Sequence, residues 1–178
     1  MAELVHLPSL TELKADRLLP GAYPLLAQLP LLRDLHVTLE EFADPAVSQS
    51  QREEMDDGLG RCLALTRVCA LDGALTEADG ARLLRSLPHL RELHLLRVSL
   101  PSLEFLQRAP QLVSLRILSC RRLRPTHLML LGHLAPALTD LHIWRCAGVE
   151  LDALELRVMT PPCSALLPQL RNFSFQEP

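Results

Sequence analysis

The sequence is short of aromatic residues: its 178 positions hold four Phe, one Trp and one Tyr, which excludes a core built around large rings. Glycine is scarce too, seven in all. The closest pair, Gly58-Leu59-Gly60, lacks the rest of a phosphate-cradling loop, so no nucleotide site is read there. The five cysteines, Cys62, Cys69, Cys120, Cys146 and Cys163, are odd in number and form no Cys-x-x-Cys pair. That leaves neither a disulfide framework nor a zinc site and points to a reducing compartment. No apolar run approaches the length that spans a bilayer, and residues 1–8 lack a basic region leading into a sustained apolar core. Positive charge is not in excess: the formal net charge is −3. Phosphate backbones and anionic lipid surfaces require a concentrated positive surface, so neither nucleic acid nor membrane is expected as a partner. The expectation is an intracellular protein, cytoplasmic or nuclear.

What the chain has in abundance is leucine: 48% of its residues are hydrophobic although only 3% are aromatic. The leucines are spaced. Pro-x-Leu-x-x-Leu-x-apolar recurs from Pro88 to Leu95, from Pro110 to Ile117 and from Pro136 to Ile143. Looser copies begin at Pro8, Pro30 and Pro168, and a degenerate one runs from Leu65 to Ala70. The first apolar positions of these seven units are Leu10, Leu32, Leu65, Leu90, Leu112, Leu138 and Leu170. Two intervals exceed the others. The first contains an acidic stretch, which reads as a solvated loop insertion at about residues 40–62. The second contains Met159-Thr160-Pro161-Pro162-Cys163, where paired prolines predict an added turn before the last strand.

Alternation at Leu90, Leu93 and Leu95 predicts a short strand with apolar side chains inward and the intervening residues outward. The return segments predict short helices. Thr76-Glu77-Ala78-Asp79 has capping-box spacing before Ala81, Leu83, Leu84 and Leu87, and Pro125-Thr126 precedes His127-Leu128-Met129-Leu130-Leu131. These motifs resemble the leucine-rich repeat family over nearly the whole chain apart from the acidic stretch. Two copies, Leu112 to Leu123 with Cys120 and Leu138 to Val149 with Cys146, are similar to the cysteine-containing repeats of F-box substrate adaptors. The equivalent positions elsewhere, Val98, Gly73 and Glu40, depart from that pattern. The resemblance implies an α/β fold: a solenoid with a curved parallel sheet on the concave face and short helices on the convex face, residues 1–178 forming one domain of about seven units.

Outward strand positions can then be set out in columns. Two residues after each first leucine stand Glu12, Asp34, Arg67, Glu92, Ser114, Asp140 and Asn172; four after stand Lys14, His36, Cys69, His94, Arg116, His142 and Ser174. Six after stand Asp16, Thr38, Leu71, Leu96, Leu118, Trp144 and Gln176. The middle four of this last column are large and apolar where alternation predicts exposure. They would form one stripe bordered by Arg97, Arg116 and Arg145, and an exposed apolar patch with an arginine border is the signature of a partner site. The alternative is that they pack over the sheet edge against the loop that follows each strand. The partner-binding expectation therefore falls on Leu71, Leu96, Leu118 and Trp144, with Glu92, His94, Arg97, Arg116, Asp140, His142 and Arg145 around them.

Other constellations are weaker. His36, His94 and His142 share a column, but the Arg116 strand separates His94 from His142 by two strand spacings, roughly 9.6 Å, with a cation between; no metal is expected. Cys120 and Cys146 read as buried structural residues, and Cys69 as the accessible thiol. Arg121, Arg122 and Arg124 form the densest basic cluster, in a turn. Charge is uneven: residues 1–89 carry 8 basic and 14 acidic side chains and residues 90–178 carry 10 and 7, so an acidic partner would prefer the second half. No nucleophile has a recognisable local signature, and neither enzyme activity nor a cofactor is expected. The leading expectation is a module that binds a protein partner through its concave face. A ubiquitin-ligase substrate receptor of F-box type, which would need a longer parent, and a partnerless structural fragment are the alternatives. The absence of obvious caps at the ends adds an expectation of self-association there.

Overall fold

The computed structural model describes residues 7–15, 18–39, 46–147 and 167–176. Seven strands form one parallel sheet in sequence order: β1 (Glu12–Lys14), β2 (Asp34–Thr38), β3 (Arg67–Leu71), β4 (Glu92–Leu96), β5 (Ser114–Leu118), β6 (Asp140–Trp144) and β7 (Asn172–Gln176). Parallel neighbours need a crossover between them. Here the crossovers carry α1 (Tyr23–Leu26), α2 (Gln49–Gly60), α3 (Glu77–Arg85), a 3-10 segment (Glu104–Arg108), and α4 (Pro125–Met129) with α5 (Leu131–Leu134).

The register is the one the leucine spacing predicts. Glu12, Asp34, Arg67, Glu92, Ser114, Asp140 and Asn172 are consecutive partners across the sheet, as are the column two residues further on and, four further on, Thr38, Leu71, Leu96, Leu118, Trp144 and Gln176. Inward side chains make the core: Leu35 and Val37, Val68 and Ala70, Leu93 and Leu95, Leu115 and Ile117, and Leu141 and Ile143 are buried, together with the first leucines Leu32, Leu65, Leu90, Leu112 and Leu138. With helices covering one face, period-2 alternation leaves the other face open.

Each central strand ends in the same way. Asp72, Arg97, Ser119 and Arg145 have φ between 49° and 57°, a left-handed conformation that non-glycine residues seldom adopt. Each donates its N–H to the carbonyl oxygen of the next repeat, Leu96, Leu118, Trp144 and Gln176 respectively. The inter-repeat bond offsets backbone strain of about 1 kcal/mol. Cys120 and Cys146 follow as expected: both are buried, and their Sγ atoms lie 3.4 and 3.5 Å from the carbonyl oxygens of Leu95 and Ile117 on the preceding strand. The Cys146 thiol alongside and burial push the Cys120 thiol up.

On the helical side, Thr76 caps α3 by accepting the Asp79 N–H at 3.2 Å, and Leu83 and Leu84 are buried beneath the helix. The acidic stretch expected to be a solvated loop across 40–62 is corrected over much of its length. Gln49–Gly60 is a 12-residue helix opened by a reciprocal capping box between Ser48 and Gln51. Met55 and Leu59, four residues apart, bury one face of it, and Gly58 completes that face without a side chain. Residues 40–45, the Met159–Cys163 turn and the column member Asp16 lie outside the described residues.

Gly58 shows how closely α2 is seated. A Cβ built there would stand 2.5 Å from the carbonyl carbon of Tyr23 and 2.6 Å from its oxygen, and neither atom can swing aside. A glycine-to-alanine change inside a helix ordinarily stabilises by roughly 0.5–1 kcal/mol. Gly58→Ala is expected to do the reverse and destabilise by about 1–3 kcal/mol, read as a lower urea midpoint at unchanged slope. An unchanged or raised midpoint would show that α2 is not packed this closely.

Candidate functional site

The open face is organised in rows that run across the strands. In the row nearest the strand starts, Arg67 is the centre. Its guanidinium forms a bidentate pair with Glu92 at 2.7 and 3.0 Å on one side and reaches Asp34 at 3.2 Å on the other. Arg67 holds the Glu92 carboxyl below its ordinary range, chiefly through the hydrogen bonds. Farther along, Asp140 accepts hydrogen bonds from Thr139 Oγ1 and Asn172 Nδ2, which depress its carboxyl in the same way. Glu92 and Asp140, both expected at a partner surface, are thus already engaged within the sheet.

The next row holds the histidines, with Arg116 between His94 and His142 in the register. His94 is the most enclosed. Burial, and then the Arg116 guanidinium, push its pKa down to about 4, so the ring is neutral at pH 7. Glu92 opposes this from 3.9 Å, but its charge is neutralised by Arg67. The Nε2 atom of His94 is buried without a hydrogen-bond partner among the described residues. His142 is lowered by the same two causes. Its Nδ1 lies 2.9 Å from Ser174 Oγ, and that same oxygen accepts the Trp144 indole N–H at 2.7 Å. The two rings meet edge to face, with centroids 6.1 Å apart. Ser174 can accept from the indole and donate its own proton to Nδ1, an arrangement that suits the neutral imidazole.

Cys69, expected to be the accessible thiol of this row, is buried, and burial raises its pKa. Its short side chain sits between the longer His36 and His94 in the register, which shade it. Among the described residues no three His, Cys, Asp or Glu side chains come together to hold a metal ion.

The third row is the apolar stripe. Leu71, Leu96, Leu118 and Trp144 are consecutive partners on β3 to β6. The three leucines are partly exposed and Trp144 is 41% exposed. Just past the strand ends, Arg97 makes a bidentate pair with Asp72, both contacts at 2.7 Å, so this arginine is not a free border cation. Arg116 and Arg145 are exposed and make no ion pair among the described residues. Arg97 and Arg121 line a common hollow with Asp72, Gly73, Ser99 and Ser119.

Sequence reasoning missed three participants. Arg67 links two carboxylates, Ser174 joins His142 to Trp144, and Asp72 neutralises Arg97. The first was detectable, because an arginine between Asp34 and Glu92 in one column is an opposite-charge alternation. The other two depend on side-chain reach that spacing does not encode.

The enclosed His94 ties this face to stability. Its folded pKa lies below the unfolded value of roughly 6.5, so between the two the unfolded chain binds more protons, and stability present above pH 6.5 is lost as pH falls toward 4. Relative to His94→Gln, the wild-type protein is expected to lose about 2 kcal/mol more between pH 7 and pH 5 in urea unfolding. Parallel losses in both proteins would mean that His94 is hydrated.

No family model and no curated protein matches the sequence. Among solved structures, the chain is similar to an internalin from Listeria monocytogenes str. 4b F2365, at 16% sequence identity and a TM-score of 0.51. The match covers 96% of this chain and 49% of the internalin, so the chain spans about half that protein's length. Identity that low speaks to architecture alone. With one strand per repeat, seven parallel strands in sequence order and helices on a single face, the architecture is a leucine-rich repeat solenoid.

Proposed function

We propose that the chain is a non-enzymatic recognition module that holds a protein partner on the open face of its sheet. The observation that carries this reading is the stripe Leu71–Leu96–Leu118–Trp144: four large apolar side chains in register, partly exposed, on the face the helices do not cover. A solenoid stabilises itself through its inward residues, so apolar side chains repeated outward on four consecutive strands add little to the fold and are suited to contact. Glu92, His94, Arg97, Arg116, Asp140, His142 and Arg145 surround the stripe. Because Glu92, Asp140 and Arg97 are held by Arg67, Asn172 and Asp72, they present a fixed pattern that can select a partner with little further ordering cost. Cys62, Cys69, Cys120 and Cys146 are free thiols, which fits a reducing compartment.

A second reading is favoured by one observation. Cys120 and Cys146 are buried in adjacent repeats, each with its Sγ near a carbonyl oxygen of the preceding strand, and their spacing resembles that of the cysteine-containing repeats of F-box substrate adaptors. In that role the open face would hold a ligase substrate, and the ligase-binding segment would belong to a longer parent chain.

Affinity capture with the full chain and with a Leu96→Gln, Leu118→Gln, Trp144→Ala triple variant tests the proposal. The variant is expected to keep its far-ultraviolet circular dichroism and cooperative unfolding while losing at least ~90% of the specifically captured protein, as befits removal of an interface centre. Undiminished capture by a folded variant would remove the open face from recognition. Ligase scaffold subunits captured by the full-length parent protein, and not by this chain alone, would select the adaptor reading.

A further inference from the structure

We infer that the occupant of the apolar stripe is an acidic segment of a protein partner: an extended chain whose large apolar side chains are flanked by Asp or Glu. The inference rests on the recognition reading above and supplies the partner's chemistry.

Beside the β5–β6 end of the stripe the charge is mainly of one sign. Residues 112–124, which carry β5 and the turn that follows it, contain no Asp or Glu and four arginines: Arg116, Arg121, Arg122 and Arg124. All four are exposed, as is Arg145 beside Trp144. None of them makes an ion pair among the described residues, whereas Arg67 and Arg97 are bound to carboxylates of the sheet itself. Of the open-face carboxylates nearest to them, Glu92 is paired with Arg67, while Asp140 is held by the neutral donors Thr139 and Asn172 and keeps its negative charge. One carboxylate against Arg116, Arg121 and Arg145 leaves this side of the stripe cationic on balance. Arg116 stands two residues before Leu118 on the same outward face, and Arg145 follows Trp144 directly.

Dimensions favour an extended segment. Four strands spaced about 4.8 Å apart make a stripe about 14 Å long. An extended chain laid across them sends every second side chain to the same side, one each ~6.6 Å, so two or three apolar side chains cover the stripe. Carboxylates that flank this apolar run in the segment can then reach the arginines beside the stripe, while the intervening side chains point away from the sheet. A nucleic acid fits less well, because its phosphates would find the arginines while four apolar side chains lost water against a charged backbone. Trp144 is the sole aromatic side chain of the stripe on which a base could stack. Exposed arginines act chiefly on association rate and selectivity, with the leucines and Trp144 at the interface centre.

Selection from a phage-displayed library of random dodecapeptides on the full chain tests this. Enriched peptides are expected to carry Asp or Glu flanking Leu, Phe or Trp. As fluorescent synthetic peptides they should bind at least ~10-fold more weakly to an Arg116→Glu, Arg145→Glu variant, with a steep loss of affinity as salt rises. Leu118→Gln should weaken them at low and high salt alike. Both variants alter exposed or half-exposed positions, and thermal unfolding verifies that each is folded. Enrichment of neutral or basic peptides, no enrichment at all, or equal binding of the selected peptides to the charge-reversed variant would overturn the inference. So would binding of a twelve-nucleotide oligodeoxythymidine as tight as that of the peptides. If capture of cellular protein is lost in the apolar triple variant but untouched by charge reversal, recognition stands and the acidic partner falls. If neither variant affects capture, both fall.

Discussion

Every feature of this molecule depends on one repeated constraint: neighbouring strands run parallel and without offset, so equivalent residues of successive repeats stand side by side. The ladder begins each time with the same device. The N–H groups of Arg33 and Asp34 both point to the carbonyl oxygen of Thr11, those of Thr66 and Arg67 to Arg33, those of Arg91 and Glu92 to Thr66, and the pattern continues to Arg171 and Asn172 on Thr139. It closes with the left-handed residues Asp72, Arg97, Ser119 and Arg145, whose N–H groups bond one repeat onward. Between those ends, leucines of adjacent strands meet at the same height. A slip of one residue would turn every inward leucine out to water, at roughly 1.5–3 kcal/mol for each large side chain exposed, so the register is strongly determined.

The open face inherits this order. Because nothing is offset, each outward column becomes a straight row with its own chemistry. One row is a line of hydrogen-bonded charges centred on Arg67, one alternates imidazoles with Cys69 and Arg116, and one is apolar. The rows constrain each other. Arg67 neutralises Glu92, which leaves His94 with little to offset its burial, and Ser174 fixes the Trp144 indole while bonding His142. Each anchored side chain has less freedom to lose when a partner arrives.

The helical face is less regular, and each repeat fills it differently. The repeat after β2 uses the 12-residue α2, the one after β4 only a 3-10 segment with Phe105 and Leu106 buried. What they share is close approach. Gly58 lies against the Tyr23 backbone, and a Cβ on Gly80 of α3 would meet the Phe105 ring at 2.5 Å. Irregular length is tolerated here because each repeat touches only its neighbours.

The strand positions, their inward leucines, the three outward columns and the structural role of Cys120 and Cys146 were all legible from spacing, because an in-register parallel stack converts sequence period directly into spatial adjacency. Helix α2 was not legible. Its buried face consists of Met55, Leu59 and a glycine, and a contact made through a missing side chain leaves no hydrophobic period to detect. The burial of Cys69 and the pairing of Arg97 with Asp72 were hidden for a different reason: both depend on how far neighbouring side chains reach. Leucine spacing alone settles which residues lie beside which, since that period allows one register. Which of them remain free follows from the packed fold, since burial and charge pairing depend on side-chain conformation across three or more strands. It is this second layer that separates the committed Arg67 and Arg97 from the exposed Arg116 and Arg145.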